Sequence, residues 1–428
     1  MAAVYANSAN TNAILKDLYI DNSDYLKDLV YAKNPLLALL PKNESEDGMA
    51  GKYLPVPLEY GNPQGRSHAF ASAQSQQTAA SVSSFFVTIV QDYQLVTITN
   101  LLMEQSKGSP AAFVDAFKLQ MDGGMRNITN NLAFQLFNDG TGSRGFIGSG
   151  ATNPSGSTYV IPLSNAQQIV QFEVGMTLVN FTKSATTISS ISSTTAVIQS
   201  VDRGSGVITV LASAVDASWL SAGKALGVSG DIVAGAISTA NNLGLSGLAS
   251  WLPSTAPSSG DNFFGVDRSA DVTRLAGIRY DATAFTIEEG ITNALALLNR
   301  EGGSPDLIVM DFASYASLVN ALGAKVMNIQ IKHDEVEVAF DAISFQSAYG
   351  RVSVLADRSC PPATAFVLSM KTWKLRSLGR VPKVLTYGVE GLEGLRVGNA
   401  DALEVRIGWY AQLICSAPGW NMVVALSS

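Results

Sequence analysis

SPAAFVDAFKLQMDGGMRNITNNLAFQLFNDG, Ser109 to Gly140, is the longest uninterrupted helical pattern in the chain. Ser109 is placed to cap it, its hydroxyl accepting an orphan N–H of the first turn. Pro110 follows at the first helical position, where a missing N–H costs nothing. Phe113, Phe117, Met121, Gly124, Ile128, Leu132 and Leu136 recur at spacings of three and four, one apolar stripe along the helix. Asn138, Asp139 and Gly140 close it, glycine being the residue that most readily takes a left-handed final turn. Some thirty residues at 1.5 Å rise span roughly 45 Å, a strut suited to crossing a flat subunit. The Gly123–Gly124 pair costs about 1 kcal/mol per glycine relative to alanine, so the pair predicts a close crossing or a bend.

Upstream, GKYLPVPLEY (Gly51–Tyr60) reads as extended, and Pro55 and Pro57 confine it to a sheet edge. Residues 61–81 are small, polar and punctuated by Gly and Pro, an exposed tip. SVSSFFVTIVQDYQLVTITN (Ser81–Asn100), rich in β-branched and aromatic residues, predicts long strands. Strand, tip, strand describes an arm projecting from the body, and an isolated hairpin is marginal in water. Its Phe85, Phe86, Val87 and Ile89 therefore call for a partner surface such as a neighbouring subunit. Residues 1–48 are weakly patterned, with Leu15, Leu18, Leu26, Leu29 and Val30 hinting at short helices. NPLLALLPK (Asn34–Lys42) is a short apolar piece bracketed by prolines. Such an arm has no core of its own and is predicted to dock elsewhere.

Downstream, Gly140–Tyr159 reads as a Gly/Ser-rich connection, and residues from about 160 to 235 as a compact all-β segment. Its Asp202–Gly206 turn, DRGSG, lies between two alternating apolar runs, a strong hairpin signal. Residues 240–280 form a loop-rich bridge containing GLASWLP and FFGVDR. A helix is predicted over Thr286–Gly302, with Thr286 and Glu289 as a capping box. The buried strand DLIVMD (Asp306–Asp311) follows, then a helix carrying Tyr315, Leu318, Val319 and Leu322, then strands at Val336–Phe340, Arg351–Leu355 and Ala365–Met370. The closing strands LEVRIGWYAQLICS and NMVVAL are expected to return to the first domain.

Composition narrows the function. The chain of 428 residues is 47% hydrophobic and 15% charged, with a net charge of −7. Charged residues average about a quarter of soluble chains, so much of this surface must be hidden in subunit contacts. Reading DNA by neutralising phosphates would ask for a basic protein. Only Cys360 and Cys415 occur, which suits a reducing compartment. The N-terminus lacks the pattern of a signal peptide, and no run of 18 apolar residues spans a membrane.

Chemistry-bearing motifs are weak. Gly140, Gly142 and Gly145 spell G-x-G-x-x-G, but after a helix and before a loop, the wrong context for a dinucleotide. His68 sits on the polar tip. His333, Asp334 and Glu335 are adjacent on a strand and so cannot converge on a metal. Asp306 and Asp311 bracket a strand, and Glu288 and Glu289 occupy a helix's first turn. Lys371, Lys374, Arg376, Arg380 and Lys383, interleaved with Trp373 and Leu375, form a basic run read as a solvated face or an interface. No catalytic, cofactor-binding or metal-binding residue is assigned.

Taken in order, these pieces resemble the major capsid proteins of tailed double-stranded-DNA phages. NPLLALLPK and GKYLPVPLEYGNPQGRSHAF resemble the family's arm and extended loop, Pro110–Phe137 followed by NDGTGSRGFIG its spine helix and exit. GLASWLP and FFGVDRSADVTRLAGI resemble the bridging segments. PDLIVMDFASYASLVNALG and AYGRVSVLADRSCPPATAFVLSMKTWKL resemble the axial domain, and LEVRIGWYAQLICSAPGWNMVVAL the closing strands. The resemblance implies an α+β capsid fold: N-terminal arm 1–48, extended β-hairpin loop 49–98, peripheral domain with spine helix 99–159, β-rich insertion 160–235, bridging segment 236–280, axial domain 281–400 and closing peripheral strands 401–428. It implies a structural protein of the virion, without catalysis, cofactor, metal or membrane. Copies would form the pentamers and hexamers of an icosahedral shell, assembled in the host cytoplasm around double-stranded DNA that is not read by sequence. No long charged helical segment precedes the arm, so a separate scaffolding protein is inferred, beside a portal and with decoration or cement proteins as further candidates. From the residues alone, a ligand-binding or enzymatic α/β protein using 281–400, or another phage structural (tail or spike) protein, stays open.

Overall fold

The computed structural model describes residues 34–44, 51, 53–99, 101, 110–184, 187–233, 235–236, 243–323, 328–333, 336–347, 350–385, 394–396 and 400–427. The long helix runs Pro110–Phe137, and its stripe is buried at Met121, Met125, Ile128, Leu132 and Leu136. Ser109 and the side chains of Phe113 and Phe117 lie outside the described residues. The helix lies on a ribbon of two strands, Val90–Thr99 and Ala402–Cys415, antiparallel from Val90↔Ala411 to Thr99↔Ala402. At Gly124 a Cβ would fall 2.7 Å from Val96 Cγ2 and 3.2 Å from Ile407 Cδ1, so the close crossing is here. Gly123 is exposed and has nothing within 4 Å of that position. Polar side chains seal the ribbon's flank: Asn127 Nδ2 donates to Gln94 Oε1 at 2.8 Å and Asn131 Nδ2 to Asp92 Oδ2 at 2.6 Å.

Val90–Thr99 is thus a body strand, a correction to its reading as part of the projecting arm. Its inward Val96 and Ile98 are buried under the helix, a face that an arm could not supply. Ala402–Cys415 also pairs with Trp373–Ser377, Lys383–Val384 and Gly394–Arg396, and Lys42–Asn43 joins Trp373–Ser377 in parallel.

A second sheet holds seven strands in the order Ile278–Asp281, Met422–Ala425, Thr364–Leu368, Leu307–Met310, Gly350–Ala356, Val336–Ser347 and Asn328–His333. Helices Ile287–Arg300 and Phe312–Leu322 cover one face, where Ile291, Leu295, Leu298 and Leu318 pack with Ile308, Met310, Val354 and Val424. Leu307, Val309, Leu355 and Phe366 turn to the other face and join the core of the long helix. A strand covered on both sides must be apolar throughout, which is why LIVM carries no alternation. Thr286 caps the first of these helices: its hydroxyl accepts from the Glu289 N–H at 3.4 Å and donates to Glu289 Oε2 at 3.0 Å, so the Glu289 carboxylate is held by the threonine side chain.

Met422–Ala425 was expected to return to the first domain together with Ala402–Cys415. It pairs instead with Thr364–Leu368 and Ile278–Asp281 in the second sheet, while Trp373–Ser377 leaves the α/β segment for the first. The chain changes sheets twice, around 369–373 and 416–421, and the fully buried Asn421 ties the two passages together. Its Oδ1 accepts from Ser369 N–H and Trp373 Nε1–H, both at 2.8 Å, and its Nδ2 donates to Thr372 Oγ1 at 3.0 Å and Ala417 O at 2.9 Å.

The third sheet runs Gly145–Phe146, Ala225–Val228, Thr177–Lys183, Thr187–Asp202, Val207–Ala212, Thr158–Pro162 and Thr152–Ser155. An Ile147↔Leu163 bridge closes it, with Gly148 N–H on Pro162 O at 2.8 Å and Ser164 N–H on Phe146 O at 2.9 Å. Closure removes exposed edges. Tyr159, Ile161, Leu178, Ile198, Val210 and Trp219 fill the interior. The barrel begins at Gly145, not near 160, because the Gly/Ser-rich run supplies backbone pairing; a Cβ on Gly148 would lie 2.9 Å from Leu163 O.

Candidate assembly surface

Leu54–Gly61 pairs antiparallel with Ser81–Val87, from Leu54↔Val87 to Gly61↔Ser81. The Phe86 N–H donates away from this pair, to Phe264 O at 2.9 Å. The opposing Pro55, and Pro57 two residues on, therefore aim nitrogens without hydrogens at the open edge, which blunts it.

One face of the hairpin's root is covered by the chain itself, a correction to the expectation that all of Phe85, Phe86, Val87 and Ile89 wait for a neighbour. Phe85 and Val87 are each 1% exposed. The Phe85 ring meets Trp251 edge-on at 5.1 Å and Phe263 at 6.2 Å, and Trp251 Nε1 donates to Leu413 O at 3.1 Å, fastening the root to the first sheet. Phe264 (φ 47°) and Gly265 (φ 83°) both take left-handed backbone in the turn between Asn262–Phe263 and Val266–Asp267. That turn presents the Phe264 carbonyl to Phe86. Nothing in the local sequence marks a bulky residue for positive φ, so this anchor was missed.

The opposite face stays open: Tyr53 is 48% exposed, Phe86 50% and Val82 62%. Beyond them the tip, read as an exposed loop, contains a six-residue helix, Phe70–Ser75, that buries none of its residues. Its neck is pinched by Thr78 N–H on Gln64 O at 3.2 Å and Gln64 N–H on Thr78 Oγ1 at 3.1 Å. Phe70 is exposed at its start.

The described end of the N-terminal arm is docked on its own body. Leu36, Leu37, Leu39 and Leu40 are buried, and the Leu36 N–H donates to Asp357 Oδ2 at 3.3 Å. Asp357 also accepts from Ser359 N–H at 2.9 Å, yet burial pushes its carboxyl up to about 6. Asp92, beneath the long helix, is likewise pushed up to about 6 by burial, against the hydrogen bond from Asn131.

The other motif residues do not converge. Gly140 and Gly142 take positive φ in the loop after the long helix, and a Cβ on Gly142 would sit 3.0 Å from Ile232 Cδ1. Packing thus accounts for that fingerprint. His68 lies in the exposed tip; Asp334, Glu335 and the His333 side chain lie outside the described residues. Asp306 accepts from Met370 N–H at 2.8 Å, and Asp311 caps the helix it precedes, accepting from Ala313 and Ser314 N–H. Glu288 and Glu289 occupy a first turn. In the basic run Trp373 and Leu375 point inward while Lys374 points out; Lys371 lies over Trp420 and Lys383 over Tyr410. Among the described residues no group of three or more His, Cys, Asp or Glu could hold a metal. A cleft of about 1420 Å³ opens between the long helix's end, the barrel and the second sheet. Charged groups along it are engaged locally: Lys183 with Asp139 at 2.5 Å and Arg268 with Asp261 at 3.0 Å.

Residues 222–391 match the family model described as SU10 major capsid protein. No curated protein sequence matches the chain. Among solved structures, a chain of the cyanophage A-1(L) capsid asymmetric unit is similar over 95% of this chain and 96% of its own, at 11% identity and a TM-score of 0.50. Lower similarity is found to the capsid of Myoviridae phage XM1, with 7% identity, coverage of 92% and 91% and a TM-score of 0.42. The holo-SrpI encapsulin complex from Synechococcus elongatus PCC 7942 gives 8% identity, coverage of 92% and 87% and a TM-score of 0.40. Residues 222–391 thus match a major-capsid-protein family model, and the fold that holds them is shared almost end to end with a subunit of a cyanophage capsid.

Proposed function

We propose that copies of this chain close into pentamers and hexamers around the axes of an icosahedral shell, each laying the hairpin of residues 54–87 across the next subunit. The observation that carries this reading is the division of the hairpin: its root is fixed by Phe85 and Val87, while Tyr53, Val82 and Phe86 keep about half or more of their surface exposed on the other face. A rigid arm with one open apolar face makes a head-to-tail contact, which closes into a ring when the rotation allows. Residues 1–48 act as the arm, the second sheet with its two helices as the axial part, and the barrel as an insertion. Packaged double-stranded DNA is enclosed without being read, and a separate scaffolding protein and a portal take part in assembly in the host cytoplasm. The subunit carries out no catalysis.

The test is removal of residues 62–80 with a short turn joining the strands. Circular dichroism and thermal unfolding of this variant should match the parent, while negative-stain microscopy shows no closed capsomers or shells. Intact shells built from the shortened chain would count against the hairpin's role.

A further inference from the structure

We propose that the barrel is a hinged unit, and that Asp92, Asn131, Arg144 and Asp231 form a proton-operated clasp that holds it against the long helix. Asp92 lies on the strand Val90–Thr99, Asn131 and Gln135 on the long helix, Arg144 at the barrel's entry and Asp231 beyond its strand Ala225–Val228. The Arg144 guanidinium donates to Asn131 Oδ1 and to Gln171 O at 3.3 Å, and lies 5.1 Å from the Phe134 ring. Asn131 Nδ2 donates in turn to Asp92 Oδ2 at 2.6 Å, where Gln135 Nε2 also donates at 3.3 Å. The cation therefore reaches Asp92 through a neutral amide.

The barrel is built to turn. Among the described residues its core shares no member with the core under the long helix. Its contact with the helix end includes polar ties, Lys183 on Asp139 at 2.5 Å and Asn138 Nδ2 on Ser143 O at 3.1 Å. Units joined in this way move relative to one another by default. Gly140 (φ 81°) and Gly142 (φ 73°) turn the chain between helix and barrel, and the cleft of about 1420 Å³ leaves space on the side of the second sheet.

The charges that act on Asp92 are Arg144 and Asp231; Asn131 and Gln135 on the helix and Trp409 across the ribbon are neutral. With both carboxylates ionised, two negative charges face one guanidinium. Burial first, and then the Asp231 charge, push the Asp92 carboxyl up to about 6 against the Asn131 hydrogen bond. A barrel swung away removes Asp231 and admits water, so the carboxyl falls back toward its ordinary 3.8. The closed state thus holds the proton more tightly. Below about pH 4 both states carry it, and between about 4 and 6 the closed state alone does, so closure weakens as pH rises through that window. Asp139 does not share this behaviour: burial opposes it, yet Lys183 and Thr141 hold its carboxyl below the usual range, so that pair stays ionised and serves as the pivot.

The experiment places one spin label on the barrel, Val215→Cys, and one on the helix Ile287–Arg300, Asn293→Cys. Both positions are exposed and the two native cysteines are buried. Labelled full-length chain is diluted into unlabelled chain, so that pulsed-resonance distances come from within one copy. From pH 5 to pH 7.5 the ratio of displaced to closed distances should rise about ten-fold with a midpoint near 6, within the roughly 100-fold that one proton can supply. Asp92→Asn should hold the closed distance at both pH values, and Asp231→Asn should shrink the response to about three-fold by removing the surplus charge. A parent distance that does not change with pH overturns the clasp. So does a parent-like response in Asp92→Asn. If Asp92→Asn melts well below the parent at pH 5, Asp231→Asn decides, and a parent-like response there overturns the clasp equally.

Discussion

Two adjacent glycines do opposite things in the long helix. A methyl at 124 would press into Val96 and Ile407, whereas one at 123 would meet open space. Gly124→Ala should therefore destabilise the subunit by about 1–3 kcal/mol through overpacking, and Gly123→Ala should stabilise it by about 0.5–1 kcal/mol through helix propensity. Denaturant unfolding of the two variants checks the signs; equal shifts would deny the crossing. The sequence located the pair as a unit, but which glycine faces the ribbon depends on helix phase against two strands, one just upstream and the other nearly 300 residues downstream. Asp357 gives a second prediction. Its carboxyl holds a proton up to about pH 6 in the native state and only to 3.8 in its ordinary state. Below pH 4 both states are protonated; between 4 and 6 the unfolded chain alone releases the proton, so this group's contribution falls as pH rises and is flat above that window. The span corresponds to about 3 kcal/mol at most. Asp357→Asn should flatten the stability profile between pH 4 and 6 relative to the parent, and parallel profiles would sink the assignment. No local pattern in LADRSC marks this aspartate, because its burden comes from the arm that covers it.

Elements whose signals are local were readable: the long helix with its proline start, the Thr286 cap, the DRGSG hairpin. Sheet membership was not, since Met422–Ala425 and Trp373–Ser377 have the same alternation whichever sheet they enter. What decides is the pair of crossings at Asn421. Asn421→Ala would leave the Ser369 N–H and Trp373 Nε1–H without their acceptor, each worth about 1–3 kcal/mol when buried and unsatisfied. The hairpin shows the same dependence on distant partners: its two neighbouring phenylalanines look alike in the sequence and point to opposite faces. Phe85→Ala should cost about 3–5 kcal/mol, since it empties the pocket of Trp251 and Phe263, whereas Phe86→Ala should cost well under about 1 kcal/mol in the isolated subunit. Urea unfolding of both variants tests this, and comparable losses would mean that the root is not where the arm is held.

At the scale of the molecule, one chain builds three large sheets besides two two-stranded ribbons, yet only two of the large ones share a core. The long helix joins the face of the second sheet that carries Val309 and Phe366, while the barrel keeps its own set around Tyr159, Leu178 and Trp219. Its entry and exit also lie side by side, Gly145–Phe146 antiparallel to Ala225–Leu226. A unit whose ends meet and whose core is private loses little on excision. Asp216 adds an internal clasp: it accepts from the Ser192 and Thr194 hydroxyls at 2.7 Å and from the Ser218 N–H at 2.8 Å, bonds that hold its carboxyl well below the usual range. A fragment of residues 141–233 should accordingly fold alone. Trp219 is the only tryptophan in that span and is fully buried, so its emission reports the core directly. The expected outcome is blue-shifted emission that reddens in one cooperative step with denaturant, and an earlier midpoint for Asp216→Ala. Red-shifted emission without a transition would mean that the barrel is held by the rest of the subunit and is no inserted domain.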